Sequence, residues 1–422
     1  MLWFVSYGTL TFILTTSKRK RGGIMAQVSL KDIFSNYSSK KPIFRDKDTL
    51  SIRFTPENIP HRDEQISQLA HILAPVLRNE KPSNIFIYGK PGTGKTLVAK
   101  KVVANLEIAA GPGPLKTIYL NCKMRKVTDT EYRLLAQLIE FFGEKVPYTG
   151  LPTTELYNRF YKLLDACQQN VLLVLDEIDS LVDKIGSQFL YNITRINQEL
   201  EKTKITLVGI SNNISFLENL DSRVKSSLSE EELIFPPYNA TEIRDILAER
   251  SRMAFHTETI TDAAIAKCAA LAAQEHGDAR KAIDLLRVAG ETAERIGSVQ
   301  VREEHVDIAQ NKVDTDRYIE TIRTQPKQSK IVLKAILEVY KKNAKSVQTG
   351  DVYDLYGRIC QKNNIKPLTQ RRVSDLISEL DTFGIVSTVN ISKGRYGRTR
   401  KINLNLSGTV VSKIEEMLSR EL

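Results

Sequence analysis

The chain has 422 residues, 41% hydrophobic and 26% charged, with a net charge of +11. That is an ordinary globular balance with enough chain for two to four domains, each burying its own core. Its four cysteines, Cys122, Cys167, Cys268 and Cys360, stand far apart, with no CxxC pair and no His at ligand spacing. This argues against a zinc site or a disulfide framework and fits a reducing cytoplasm.

In chain order, Leu2 to Leu14 is mostly apolar and is followed by Lys18-Arg19-Lys20-Arg21. A signal peptide carries its positive charges before the apolar run, and a membrane span needs roughly 20 residues. Residues 1–24 are therefore read as an upstream-start extension with translation beginning at Met25; a short membrane anchor is the alternative. Residues 25–60 are polar and punctuated by Pro42, Pro56 and Pro60, and are expected as an extended arm. Apolar runs then alternate with helix-length segments at Ile85–Tyr88, Thr117–Asn121, Val171–Leu175, Ile205–Ile210 and Leu233–Phe235. Short continuous apolar runs suit strands buried on both faces of a parallel sheet, so an α/β, doubly wound base is expected. After Pro236-Pro237 the strands stop. Ala240 to Ile322 reads as consecutive helices, including the alanine-rich Asp262–Gln274, and Thr324-Gln325-Pro326 reads as a linker. A last domain follows with three helical patterns, two strands and a terminal helix.

The segment Gly89-Lys90-Pro91-Gly92-Thr93-Gly94-Lys95-Thr96 matches G-x-x-x-x-G-K-[ST] between an expected strand and an expected helix, the context a phosphate loop requires. Glycines let backbone N–H groups face the phosphates, and the helix N-terminus, with Leu97 next in line, favours an anion. Lys95 is expected to reach the β- and γ-phosphates and Thr96 to hold Mg²⁺. The strand Val171–Leu175 ends in Asp176-Glu177, at the ligand edge of such a sheet. Asp176 is assigned to the metal and Glu177 to the attacking water. Alone, this pair reads as a solvated strand end; beside the phosphate loop it does not. Asp179 fits a solvated or capping role. Asn212 after the fourth run, Arg223 before the fifth and Arg280 at the start of a helix fall where they could orient the water, act on a neighbour's nucleotide and touch the γ-phosphate. Any one of them alone reads as a surface polar residue.

From Pro326 to Leu422, 18 Lys and Arg stand against 9 Asp and Glu, a net +9. A polyanionic partner or a solvated basic face follows. Leu368 to Phe383 carries apolar Val373, Leu376, Ile377 and Leu380 at helical spacing. Its first turn offers Thr369, Gln370, Arg371 and Arg372, types that read base edges in a major groove. Strands Ile385–Ile391 and Lys401–Leu406 flank a basic hairpin with Lys393, Arg395, Tyr396, Arg398 and Arg400, suited to phosphates or a minor groove. A basic solvated hairpin, or a winged helix used for protein contacts, is the competing reading.

These motifs resemble the AAA+ superfamily and, within it, the archaeal origin-recognition initiators. The resemblance runs from Lys47 to Leu406. Gly277-Asp278-Ala279-Arg280 is among the matching stretches, and the resemblance rests most specifically on Ser222-Arg223-Val224-Lys225-Ser226-Ser227-Leu228 and Leu368-Thr369-Gln370-Arg371-Arg372-Val373. It implies an AAA+ base over 61–238, an all-α lid over 239–323 and a winged helix over 326–422. It makes Asn212 the sensor-one residue, Arg280 the sensor-two residue and Arg223 an arginine finger. Tyr238 and Arg250 would close the nucleotide site, and the Pro60–Arg62 turn, with His61, would lie at the adenine. Residues 123–151, with a helix Glu131–Phe142, take the place of an insertion that contacts DNA in the family. Asn213 and Ser222 depart from the family pattern without removing a needed group. The implied protein binds ATP, ADP and Mg²⁺ and turns ATP over slowly as a switch. Its implied partners are duplex DNA at replication origins, the replicative helicase and other initiator copies, on the nucleoid in the cytoplasm and not at a membrane. A transcriptional regulator gated by ATP and a clamp-loader-like ATPase are the alternatives.

Overall fold

The computed structural model describes residues 41–422 except 52, 124–129, 148, 217, 219, 229, 343–346, 393–397 and 407. The expectation about residues 1–24 therefore falls outside the described residues.

Five strands, β1 (Asn84–Gly89), β2 (Leu115–Asn121), β3 (Asn170–Asp176), β4 (Lys204–Ser211) and β5 (Glu230–Phe235), form one sheet in the order β2-β3-β4-β1-β5. Every neighbouring pair is parallel. Each expected run became a strand, extended by a residue or more. Because successive side chains leave opposite faces, alternate residues feed two cores. Ile85, Ile87, Leu172 and Val174 pack with helices α1 (Asp63–Leu73) and α2 (Lys95–Ala110). Phe86, Leu173 and Leu175 pack on the other face with α3 (Glu131–Glu140), α4 (Thr153–Cys167), α5 (Ile178–Ile185), α6 (Gln188–Arg195) and α7 (Ser222–Leu228).

The helix expected within the insertion is α3. Thr130 caps it, and Leu134, Leu135, Ala136, Leu138 and Ile139 are buried. Most of this helix is thus core of the base, and Arg133 and Glu140 are among the side chains it leaves exposed.

Four helices, α8 (Ala240–Ala254), α9 (Asp262–Gln274), α10 (Ala279–Ile296) and α11 (Glu303–Arg323), build the lid. Their starts are set by sequence: Asn239 and Glu242 form a capping box, and Thr261 and Asp278 accept from the next turn. Residues 25–40 of the arm lie outside the described residues; residues 43–50 correct the expectation of an extended segment. Ile43 and Leu50 are buried in the lid core, and residues Lys47–Leu50 form a short 3-10 helix capped by Asp46. Phe44 stacks on Phe255 with ring centroids 4.8 Å apart. Gly290 is needed beneath it, since a Cβ there would come within 2.4 Å of the Phe44 ring.

The expected linker at Thr324–Pro326 is a hydrogen-bonded corner. Gln325 N donates to Ile322 O (3.1 Å) and Lys330 N to Pro326 O (3.2 Å). Helix α11 runs through two cores: Val306 and Ala309 belong to the lid, and Ile322 belongs to the last domain. That domain contains α12 (Lys327–Lys342), α13 (Thr349–Lys362), α14 (Gln370–Thr382), an antiparallel hairpin of β6 (Val386–Ser392) and β7 (Arg398–Leu404), and α15 (Gly408–Glu421). Val373, Leu376, Ile377 and Leu380 are all buried. Among the described residues no helix is long and apolar enough to cross a membrane.

Candidate functional site

The phosphate loop turns from β1 into α2. Gly89, Gly92 and Gly94 all have positive φ, and a Cβ on either of the first two would clash with a neighbour that must then move. A Cβ on Gly89 would sit 2.5 Å from Phe235 O, and one on Gly92 would sit 1.7 Å from Asp278 Oδ1. The loop is therefore wedged between β5 and the first turn of the lid helix α10, where Ala279 N approaches Gly92 O at 3.4 Å. Thr93 is fully buried and donates to Lys90 O (2.8 Å), which closes the turn; Pro91 is exposed at its crest.

Lys95 is 5% exposed. Its Nζ donates to Gly89 O (2.7 Å), Lys90 O (2.8 Å) and Asn212 Oδ1 (2.9 Å). Burial, then the nearby Arg280, pull its pKa down to about 8. Thr96 Oγ1 donates to Asp176, 3.1 Å from Oδ2 and 3.3 Å from Oδ1. Asp176 also accepts from the Tyr119 hydroxyl of β2. Glu177 has φ 56° and ψ 48°, a left-handed conformation that is costly for a residue with a side chain. Its carboxylate pairs with Lys123 at 3.4 Å. Asp179 corrects its expected role. It neither caps α5, whose N-cap is Glu177, nor presents both oxygens to water, since Oδ1 is enclosed without a hydrogen bond.

Two adjoining spaces result. Gly92, Gly94, Lys95, Thr96, Asp176, Glu177, Asn212 and Arg280 enclose a small polar recess of about 20 Å³. A larger cavity of about 400 Å³ runs from it between the loop and the lid, past Leu97, Tyr238, Arg250 and Arg280. Arg62 buttresses the loop from behind. It is 2% exposed, donates to Thr93 O (2.9 Å) and Pro236 O (2.6 Å), and lies 3.8 Å over the Tyr238 ring. His61 is turned to Asp245 of α8 (3.1 Å), and it is Pro60 that faces the cavity. Arg223 is apart from both spaces. It is 78% exposed, held by Asp221 at 3.1 Å, in a separate polar groove with Arg195 and Ser226.

Sequence reasoning missed one wall of the larger cavity. Phe54, Asn58 and Ile59 from the arm line it, and Arg250 joins the arm to the lid by stacking 4.5 Å over Phe54 and donating to Thr49 O (3.1 Å). Phe54 and Ile59 follow no helical or strand period, and Phe54 is one of several aromatics in the arm, so the sequence did not mark this wall. Tyr119 and Lys123 were missed for a similar reason, because strand and loop positions carry no motif.

In the last domain, Thr369 caps α14, and Gln370, Arg371 and Arg372 are exposed on its first turn. Arg372 is 3.8 Å from Asp375 and 3.9 Å from Glu379. Arg400 corrects its expected place: its guanidinium folds back on α14 and donates to Ser378 Oγ (2.6 Å), where it ties the hairpin to the helix. Lys393, Arg395 and Tyr396 lie outside the described residues, as does the side chain of Arg398.

A phosphate loop on a parallel sheet, an all-α lid touching it and a hairpin-bearing helical domain define an AAA+ module joined to a winged helix. Comparisons with known proteins divide the chain in the same way. Residues 78–216 match the AAA domain, 244–311 the Cdc6 AAA+ ATPase-type lid domain and 320–413 the CDC6 C-terminal winged helix domain. The ORC1-type DNA replication protein of Thermococcus kodakarensis is 49% identical over 391 residues, covering 91% of this chain and 94% of its own. ORC1-type DNA replication protein 1 of Archaeoglobus fulgidus is 51% identical over 387 residues, covering 91% and 93%. Among solved structures, the Aeropyrum pernix ORC1 protein in complex with DNA is 43% identical, with a TM-score of 0.75, over 91% of this chain and all of that one. The chain belongs to the family of ORC1-type DNA replication proteins.

Proposed function

We propose that this protein marks replication origins by binding duplex DNA, under the control of ATP held between base and lid, and helps to load the replicative helicase there. The observation that carries the reading is the convergence of Lys95, Thr96, Asp176, Glu177, Asn212 and Arg280 on one recess, in a chain whose last domain exposes Arg371 and Arg372. The base would span 61–238 and the winged helix 326–422. The lid, 239–323, takes residues 43–50 of the arm into its core.

Each residue has a distinct task. Lys95 and the loop N–H groups bind the phosphates, and the wall of Phe54, Ile59 and Tyr238 holds the nucleoside out of water. Thr96 and Asp176 present an oxygen-only pair, which suits Mg²⁺ shared with substrate phosphates. When bound, that ion neutralises charge on the β- and γ-phosphates. Glu177 accepts the proton of the attacking water and Asn212 steadies Lys95. Arg280 approaches the phosphates from the lid, so it couples phosphate loss to the base–lid angle. Slow turnover suits such a switch. Arg223 points away from its own site and serves a neighbouring copy.

The test is binding to origin and scrambled duplexes with ATP, with ADP and with Lys95→Ala. Origin preference that depends on ATP and vanishes in the variant is expected. Preference indifferent to nucleotide and to Lys95 would refute control by ATP, and the absence of any origin preference would refute origin marking.

A further inference from the structure

Asp176 is held from two directions. Thr96 reaches it from α2, and Tyr119 reaches it from β2 across the parallel pairing in which Asn121 is level with Asp176 and Tyr119 with Val174. Strands β2 and β3 are neighbours in the sheet, so a side chain two residues back on one can lean along the sheet to the tip of the other. The phenol donates to Oδ2 of the carboxylate. Its ring packs against the apolar face between β2 and α2, under the ammonium of Lys100, 4.7 Å from the centroid. Lys100 itself lines the larger cavity, one helical turn beyond Thr96.

We propose that Tyr119 is a positioning residue for the metal-bound nucleotide, its hydroxyl fixing Asp176 so that the carboxylate meets Mg²⁺ and its bound water in one orientation. This rests on the reading of Asp176 given above. A carboxylate has about four acceptor positions. With Thr96 and Tyr119 donating, free lone pairs remain for the ion's water shell, and rotation of the carboxyl group is blocked. Tyr119 lines neither of the two spaces at the loop, so its effect passes through Asp176.

Tyr119→Phe keeps the ring under Lys100 and removes only the donor. Hydrogen bonds to charged groups support an effect of about tenfold. In the full-length protein, binding of a fluorescent ATP analogue is followed across a Mg²⁺ titration and in EDTA, beside hydrolysis and thermal unfolding. The Mg²⁺ midpoint should rise about tenfold for both binding and hydrolysis. Affinity in EDTA and the unfolding temperature should stay near the parent's. An unchanged midpoint overturns the proposal, and so does an equal loss of affinity with and without Mg²⁺, which would mean a packing role. Asp176→Asn separates the two layers. If it keeps the parent's midpoint, the role of Asp176 fails and the proposal with it. If it shifts the midpoint while Tyr119→Phe does not, the role of Tyr119 alone fails.

Discussion

Gly92 offers the sharpest test of how the base and lid are held together. Its φ is +76°, and a Cβ would lie 1.7 Å from Oδ1, 2.3 Å from Cγ and 3.0 Å from Cα of Asp278. Asp278 can swing its carboxylate aside, but that group caps α10 by accepting from Arg280 N (2.9 Å) and Lys281 N (3.4 Å). Gly92→Ala thus combines a left-handed alanine, about 1–2 kcal/mol, with loss of the cap, about 1 kcal/mol. A total of about 2–3 kcal/mol falls on the arrangement that binds nucleotide, enough to weaken ATP binding by roughly 30-fold or more. The assay is ATP affinity and thermal unfolding for the parent, Gly92→Ala, Asp278→Ala and the double variant. In the Asp278→Ala background the cap is already gone, so Gly92→Ala should cost only the backbone part. The cycle should show a coupling of about 1 kcal/mol, above the ~0.5 kcal/mol within which independent sites add. Equal costs in both backgrounds would refute the contact between loop and lid as a source of affinity.

Glu177→Gln should leave ATP affinity unchanged and slow hydrolysis by about a hundredfold or more, as loss of a general base does; normal turnover would remove Glu177 from the chemistry. With the Lys95 pKa lowered to about 8, ATP binding above that pH must bring a proton with it. The dissociation constant should be flat below about pH 7 and should rise toward tenfold per unit above about 8; a flat profile to pH 9.5 would contradict a buried phosphate-binding ammonium. Arg371→Ala should reduce the preference for origin over scrambled duplex by about 1–3 kcal/mol, whereas Arg400→Ala should lower thermal stability and leave that preference intact. The reverse pattern would place the reading of sequence on the hairpin. Arg223→Ala should spare ATP affinity and lower hydrolysis only where copies assemble on DNA; a loss seen equally in dilute, DNA-free protein would refute action in trans.

Where a segment's function is expressed as periodicity or a fixed spacing, it was legible in the sequence. The buried runs of β1 and β3, the loop from Gly89 to Thr96 and the stripe Val373, Leu376, Ile377 and Leu380 all declare themselves in this way. The base–lid cavity was half legible. The end at the Gly89–Thr96 loop is built from contiguous motifs, but the opposite wall comes from Phe54, Asn58 and Ile59, which follow no period. Their place is set by contacts far along the chain: Phe44 stacks on Phe255, more than two hundred positions away, and Arg250 lies over Phe54. The exposed look of Asp179 and Arg400 misled for one physical reason: a polar residue type says nothing of the tertiary neighbour that encloses it. The Ser374 carbonyl and the Ser378 hydroxyl, four residues apart on α14, make a seat for Arg400 that only the fold brings beneath it.

Helix α11 is the one element shared by the two halves of the proposed switch. Its first turns are packed into the lid and its last turn into the winged helix, and a hydrogen-bonded corner follows at Thr324. Twenty-one residues of helix make a rod about 30 Å long. If the lid tilts by roughly 10° as the γ-phosphate comes and goes, the far end of that rod sweeps about 5 Å. That exceeds the 3.4 Å rise of one base step. In the proposed switch the helix would serve as a lever arm, enlarging a movement of the lid before it reaches α14 in the winged helix.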